Sequence, residues 1–489
     1  MSYYKISFTA IILLILVCAQ NEVFSQDAND ALRVTYSGFG SSARALGMGN
    51  SYTALSDDAS AAFFNPAGFG LIRKIELSGG FSYLRFKNQA QFFGDTTEYS
   101  NSNTSFNRVS LAVPVPTSQG SLVFGLSYHN TAEFTGALKF SGVNNSNSWI
   151  DHFSVNNDST RSTVPYDLFL SYPLYDSLNK FIKDSTNILG GLNQSGDILN
   201  SGYINNWTIS GATEVIKNLF VGANVNFAVG KYESNNEYYE DDIANIYQGE
   251  TSPGEPQTID FQTFYLNKLY KWELTGWDVK IGMIYQLDNA RFGFTVQFPK
   301  DFEINEDFIV NGRSDYAITS YSLTSNNYSD QVEYKIKTPY EVSAGLSLNL
   351  LGLVVTGDAT LIDYSQIKFE NISGLRESYV SELNKNIKQQ LKPVINYNVG
   401  AELTLLFLGL RLRGGFFARP SPYTEDDKSF DKKYLTAGVG ILAQETFGID
   451  VALVHGWWKD FGDNYGTNLS RTYQNITVDQ ILLTTTIRF

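Results

Sequence analysis

The sequence predicts an all-β fold, a 14-stranded antiparallel transmembrane β-barrel with an N-terminal hatch (plug) segment inside it. Three observations carry that expectation. Segments of roughly ten residues alternate apolar and polar side chains at period two, the spacing of a strand with one face on lipid and one on a wet lumen. Seven very short turns alternate with seven long polar loops along most of the chain. Beyond the first residues, no stretch approaches the ~20 consecutive apolar residues of a membrane helix.

Residues 1–25 read as an export signal: Lys5 is the positive start, Ile6 to Val17 the apolar centre, and Val23-Phe24-Ser25 a cleavage site before Gln26. A lipoprotein reading of Cys18 competes, but Val17 before it is not small. Removing 25 of the 489 residues leaves 464 and takes away the single cysteine, so the exported chain carries no disulfide.

Residues 26–72 differ in character. Gly38-Phe39-Gly40 to Gly47-Met48-Gly49 and Tyr52 to Gly68 are dominated by small residues, which suits backbone packed closely against a wall. Ser56 is placed to cap a short helix from Asp57 to Phe64, and Pro66 prevents its continuation. This segment is expected to plug the barrel formed by 73–489.

Fourteen strands are predicted there: 74–87, 105–116, 120–130, 204–216, 219–233, 266–287, 290–304, 332–350, 353–369, 394–407, 410–419, 433–444, 447–459 and 472–489. Tyr340 to Leu350 shows the pattern well. Tyr340, Val342, Ala344, Leu346, Leu348 and Leu350 share one face, and Glu341, Ser343, Gly345, Ser347 and Asn349 the other. Turn residues such as Lys217-Asn218, Asp288-Asn289, Leu351-Gly352 and Leu408-Gly409 separate consecutive strands. In the loops, Leu375, Tyr379, Leu383, Ile387 and Leu391 recur every four residues and predict an amphipathic helix over 375–391. A second helix is expected over 174–189. The chain ends Ile487-Arg488-Phe489, a terminal aromatic typical of chains handled by the outer-membrane assembly machinery. Such a barrel would meet outer-membrane lipid and lipopolysaccharide.

Tyr and Phe number 30 and 34, as girdles at both membrane interfaces require. A net charge of −14 speaks against nucleic acid as a partner. The acidic run Glu237 to Asp242 reads as a solvated loop, since it lacks calcium-loop spacing. Three histidines, His129, His152 and His455, none at zinc-ligand spacing, and no Gly-x-Ser-x-Gly elbow leave little to build an enzyme from; no catalytic residue, metal or cofactor is expected.

The chain resembles the FadL family of outer-membrane transporters of long-chain fatty acids and other hydrophobic compounds. The most specific match is Asn65-Pro66-Ala67 after Gly47-Met48-Gly49, joined by Gly276-Trp277-Asp278, Thr338-Pro339-Tyr340, Asp363-Tyr364 and Tyr397 to Glu402. The resemblance implies a hatch-plugged barrel in which hydrophobic ligand is captured outside, passes to a lumen pocket and leaves sideways through a kink in the third strand. Asn65, Pro66, Ala67 and Gly68 are the hatch and gating candidates. The third strand departs from the family pattern, lacking Phe-Gly-Leu after Ser127. The same hatch motifs are also similar to PorV-type barrels of a protein-secretion system, whose loops would bind exported proteins instead.

Period-two alternation turns Asp278, Lys280, Glu341, Asp358, Glu402, Arg411, Arg413 and Asp450 toward the lumen. Two roles stay open for Arg411, Arg413, Glu402 and Asp358. They hold the hatch, or an arginine fork receives a ligand carboxylate.

Overall fold

The computed structural model describes residues 26–36, 38–154, 163–324, 328–405 and 409–489. The export-signal reading of 1–25 lies outside them. The period-two segments form a closed wall. It opens with β1 (Glu76–Phe92), β2 (Asp95–Val115) and β3 (Leu122–Glu133), the last continuing as β4 (Gly136–Asn144). A hairpin of β5 (Tyr172–Tyr175) and β6 (Phe181–Ser185) stands apart from the wall. Next come β7 (Leu192–Ile216), β8 (Leu219–Asp241), β9 (Phe261–Gln286) and β10 (Ala290–Gln297), which continues as β11 (Asp301–Tyr316) and carries the short β12 (Ser320–Ser322). β13 (Asp330–Lys337) runs on as β14 (Glu341–Leu350), and β15 (Leu353–Asp363) as β16 (Lys368–Ser373). β17 (Pro393–Leu405), β18 (Leu410–Arg419), β19 (Lys432–Ala443), β20 (Phe447–Asp463) and β21 (Arg471–Arg488) complete it. With each interrupted strand counted once, the wall has fourteen antiparallel members, and β21 pairs back onto β1 from Glu76↔Arg488 to Gln91↔Tyr473. Closure leaves no edge to face hydrocarbon.

Fourteen strands have thirteen connections, so the short turns number six rather than the expected seven. The first outer connection is also not a long loop. β1 and β2 extend to a tight hairpin at Phe93-Gly94, both at positive φ, because the polar residues 88–104 keep the strand period above the membrane. Strands 290–304 and 332–350 are interrupted side by side at Phe298-Pro299-Lys300 and Thr338-Pro339-Tyr340, where proline has no N–H for the ladder.

Helix α5 (Glu377–Gln390) forms where the four-residue spacing predicts it; the earlier helices are α1 (Ala28–Thr35), α2 (Ala43–Gly47), α3 (Trp149–Ser154) and α4 (Val164–Asp167). α5 buries Val380, Leu383 and Ile387 against β13, β16 and the hatch helix α1. The helix expected over 174–189 is instead the β5–β6 hairpin. Asp176 Oδ1 accepts from the Leu178 and Lys180 amides at 2.8 and 2.9 Å, and Asn179 takes a positive φ, so the chain turns where a helix would need to continue.

The outward face carries the apolar load. Phe81, Phe124, Ile209, Phe227, Trp277, Leu435 and Leu453 are each about half exposed, as suits contact with acyl chains. This closed, apolar-belted wall is a transmembrane barrel of the kind held by Gram-negative outer membranes. Above the belt a second core forms from Phe92, Phe140, Trp149, Leu168, Phe264 and Tyr316, capping the outer end. Glu240 lies inside this cap rather than in a solvated loop. It is fully buried and accepts from Ser148 Oγ at 2.5 Å, the Trp149 amide at 2.6 Å, and Gln194 and Tyr238 at 2.8 Å.

Candidate functional site

The N-terminal segment fills the barrel's bore, and its seat is made of missing side chains. Gly47, Met48 and Gly49 lie against Gly400, Gly415 and Gly438 of β17, β18 and β19. A Cβ on Gly415 would stand 2.5 Å from Gly49 Cα. Thr53 and Ala54 meet Gly293 and Gly345 in the same way, and Asn65 and Pro66 meet Gly282 and Gly222. Sequence reading passed over these lumen-facing glycines on seven different strands; their shared inward parity was the available signal.

Asn65 joins hatch to wall. Its Oδ1 accepts from the Ala67 amide at 3.1 Å, and its Nδ2 donates to Thr53 O at 2.9 Å and to Met283 O of β9 at 3.1 Å. Pro66 then opens a 3₁₀ turn, Pro66–Leu71, with buried Ala67 and with Gly68 pressed on Ser56. The α-helix expected from Asp57 to Phe64 is a shorter 3₁₀ turn, Ala59–Ala62. Its cap is Asp58, whose carboxylate accepts from the Ser60 amide at 2.8 Å. Ser56 stands at positive φ and turns its hydroxyl back to Tyr52 O, so it cannot cap.

The inward charges converge on the hatch. Arg44 of α2 reaches Glu402 at 3.1 Å and Asp57 at 2.6 Å, and Asp57 also meets Arg291 of β10 at 3.0 Å. Arg413, its side chain wholly buried, holds the same Glu402 at 2.6 Å and Asp450 at 2.6 Å. Burial works against ionisation of Asp57, but the Arg44 and Arg291 guanidiniums outweigh it and hold the carboxyl well below the ordinary carboxylate range. Asp358 accepts from the Tyr52 and Thr53 amides at 2.6 and 2.8 Å. Arg411, half-buried two residues below Arg413, pairs across the sheet with Thr404 and Gly440.

Above the hatch lies a lumen cavity of about 510 Å³. Phe39, Phe63, Phe64, Phe134, Tyr434 and Trp458 supply its apolar surface, and Lys280, Lys300, Arg419, His129 and several asparagines its polar one. None of Arg411, Arg413, Glu402 and Asp358 lines it. Lys280 Nζ donates to the hatch carbonyl of Phe63 at 2.6 Å.

The cavity borders a seam in the wall. The β2–β3 ladder stops at Arg108↔His129, Thr131 bulges out of register, and β3 follows β7 while β2 continues with β1. Side chains bridge the two sides, as in Asn103 Nδ2 to Glu133 Oε1 at 2.9 Å and Asn101 Nδ2 to Asn200 O at 3.3 Å. Residues 129–136 line the cavity from within. The third strand therefore deviates here without the family's Phe-Gly-Leu.

Solved structures share this architecture. A Pseudomonas aeruginosa FadL homologue superposes with TM-score 0.56 and 12% identity over 93% of this chain and 98% of that one. The P. putida toluene transporter TodX gives TM-score 0.55 and 13% identity over 93% and 99%. No family model and no curated protein matches the sequence. What these likenesses share with the chain is the fold: a hatch-plugged barrel resembling FadL-type channels.

Proposed function

We propose that the protein is a passive channel for uptake of hydrophobic compounds such as long-chain fatty acids or monoaromatic hydrocarbons. The carrying observation is the cavity itself, whose lining includes a dozen aromatic side chains, seated on the hatch and bordered by a seam in the wall. A pocket of this kind binds an apolar molecule by desolvation and needs only a few polar groups to orient it. Ligand collects at the cap, enters the cavity, and leaves as hatch residues around Asn65-Pro66-Ala67-Gly68 shift. A second way out is favoured by the seam. Side-chain bonds alone close it near Glu133, so parting β2 from β3 there breaks no backbone ladder. Nothing in this scheme uses catalysis.

The test is a disulfide across the seam. Asn103→Cys with Glu133→Cys, in a mature chain without cysteine, should lower uptake of radiolabelled oleate and toluene into cells to the share that passes the hatch, and reductant should restore it. Undiminished uptake with the bridge formed would remove the seam as the exit. Absence of uptake in the unmodified protein, with exported proteins co-purifying on its loops, would turn the assignment to the secretion reading.

A further inference from the structure

On one side of the lumen, beginning in the cavity wall at His129, Asn206, Asn226 and Lys280, the barrel is polar where the hatch side chains facing it are not. Inward residues of β2, β3, β7, β8 and β9 form a continuous grid by strand register: Arg108↔His129↔Asn206 in one row, and Ser110↔Ser127↔Thr208↔Asn226↔Asp278 in the next. Ser210↔Asn224↔Lys280 forms a third. Opposite them the hatch presents the methyls of Ala59, Ala61 and Ala62, and it meets the grid through two backbone carbonyls, Ala62 O accepting from Asn224 Nδ2 at 2.7 Å and Phe63 O from Lys280 Nζ at 2.6 Å. Five atoms of the grid have no hydrogen-bond partner in the protein: Arg108 Nε, Ser127 Oγ, Asn206 Oδ1, Ser210 Oγ and Asp278 Oδ2. Each belongs to a residue no more than 5% exposed. Elsewhere around the bore, glycine seats and ion pairs bind the hatch directly to the wall.

Buried polar groups in native proteins are almost always paired with protein or with ordered water. Unpaired atoms interspersed through such a grid, beside a small-residue surface, are the chemistry of a hydrated path. Toward the periplasm the polarity reverses, starting at Ala112 and Gly125 in Ser210's own row and continuing with Val123 and Ala212 in the next. Ala112, Val123 and Ala212 of the wall close around Phe69, with Ile72 beside it, and Phe69 is fully buried with its ring on Gly125. A dry constriction of this kind blocks water and ions by dewetting.

We propose that a hydrated lane for water and small ions runs from the cavity along the β2–β3–β7–β8 wall, and that Phe69 is the apolar gate closing its periplasmic end. The lane is distinct from the hydrophobic route: it begins in the same cavity but offers an apolar ligand only unfavourable surface. It does not depend on which ligand the cavity holds.

The experiment is single-channel recording of the full mature protein in planar bilayers of outer-membrane lipid with potassium chloride as the probe. The unmodified protein should stay closed, and Phe69→Ala should give a persistent conductance. Adding Ser127→Leu and Ser210→Leu to Phe69→Ala should abolish that conductance, because leucine fills the lane. A closed Phe69→Ala channel that retains heat-modifiable mobility would overturn the gate, and a conductance indifferent to the two leucines would overturn the lane. Should Phe69→Ala not assemble, a high-resolution map of the unmodified protein decides the matter. Ordered water against Ser127 Oγ and Ser210 Oγ is expected, and a dry lane refutes the proposal.

Discussion

Glu402→Gln should loosen the hatch without unfolding the barrel. Glu402 is 3% exposed and receives both Arg44, at 3.1 Å, and Arg413, at 2.6 Å, so it is a wall carboxylate joining the plug's cation to the wall's. Breaking a buried pair by removing one partner costs about 3–5 kcal/mol, most of it from the charge left behind. Here each arginine keeps a second carboxylate, Asp57 for Arg44 and Asp450 for Arg413, which puts the loss at the lower end, ~3 kcal/mol. Since ~1.4 kcal/mol is a factor of ten, local opening of the hatch should rise roughly 150-fold. Hydrogen exchange of the purified protein reads this directly. Amides of residues 42–58 should exchange faster by about that factor, while β20 and β21, held by continuous ladders to β19, to each other and to β1, keep their protection. Unchanged exchange over 42–58 would show that the glycine seats alone hold the plug. Equal acceleration in β20 and β21 would show that the pair supports the barrel instead.

The seat itself is tested by Gly415→Val, whose side chain would occupy the space of Gly49; overpacking of about 1–3 kcal/mol should expel the hatch and make residues 43–58 cleavable by added protease, and protection would refute the close approach. Because Asp57 ionises far more readily when docked than in an unfolded chain, its contribution is present above the unfolded pKa of ~3.9 and is lost only as pH falls through its lower docked value. The extra exchange protection that Asp57 gives over Asp57→Asn should thus be the same at pH 5 as at pH 7 once intrinsic rates are corrected, and its disappearance near pH 5 would contradict the pairing. Glu240→Ala removes the acceptor from four buried donors and should cost the outer cap several kcal/mol, seen as selective exchange in residues 138–150 with the membrane strands intact.

Alternation fixes which way each strand residue faces, and that is local information. It is why the lipid face of Tyr340 to Leu350, the closure at Phe489 and the inward direction of Glu402 and Arg413 were legible without coordinates. Small-residue content marked 26–72 as something to be packed against, and Asn65-Pro66 marked its turn. Local pattern failed where two conformations share a spacing. Leu174, Leu178 and Phe181 fit a helix as well as a hairpin, and the Asp176 side chain settled it by bonding the turn amides. It failed again at residues 88–104, where a strand that is polar at most positions looks like a loop although Ala90 and Phe92 are buried in the cap.

The site was the least legible part. Arg44 and Glu402 are 358 residues apart, and Gly49 meets Gly415 only because the barrel closes around it. Facing direction comes from the backbone's two-residue repeat, which the sequence carries in full. Partner choice comes from closure and from the depth to which the hatch is threaded. These bring residues from both ends of the chain to one height in the bore, and no run of neighbouring residues encodes that distance.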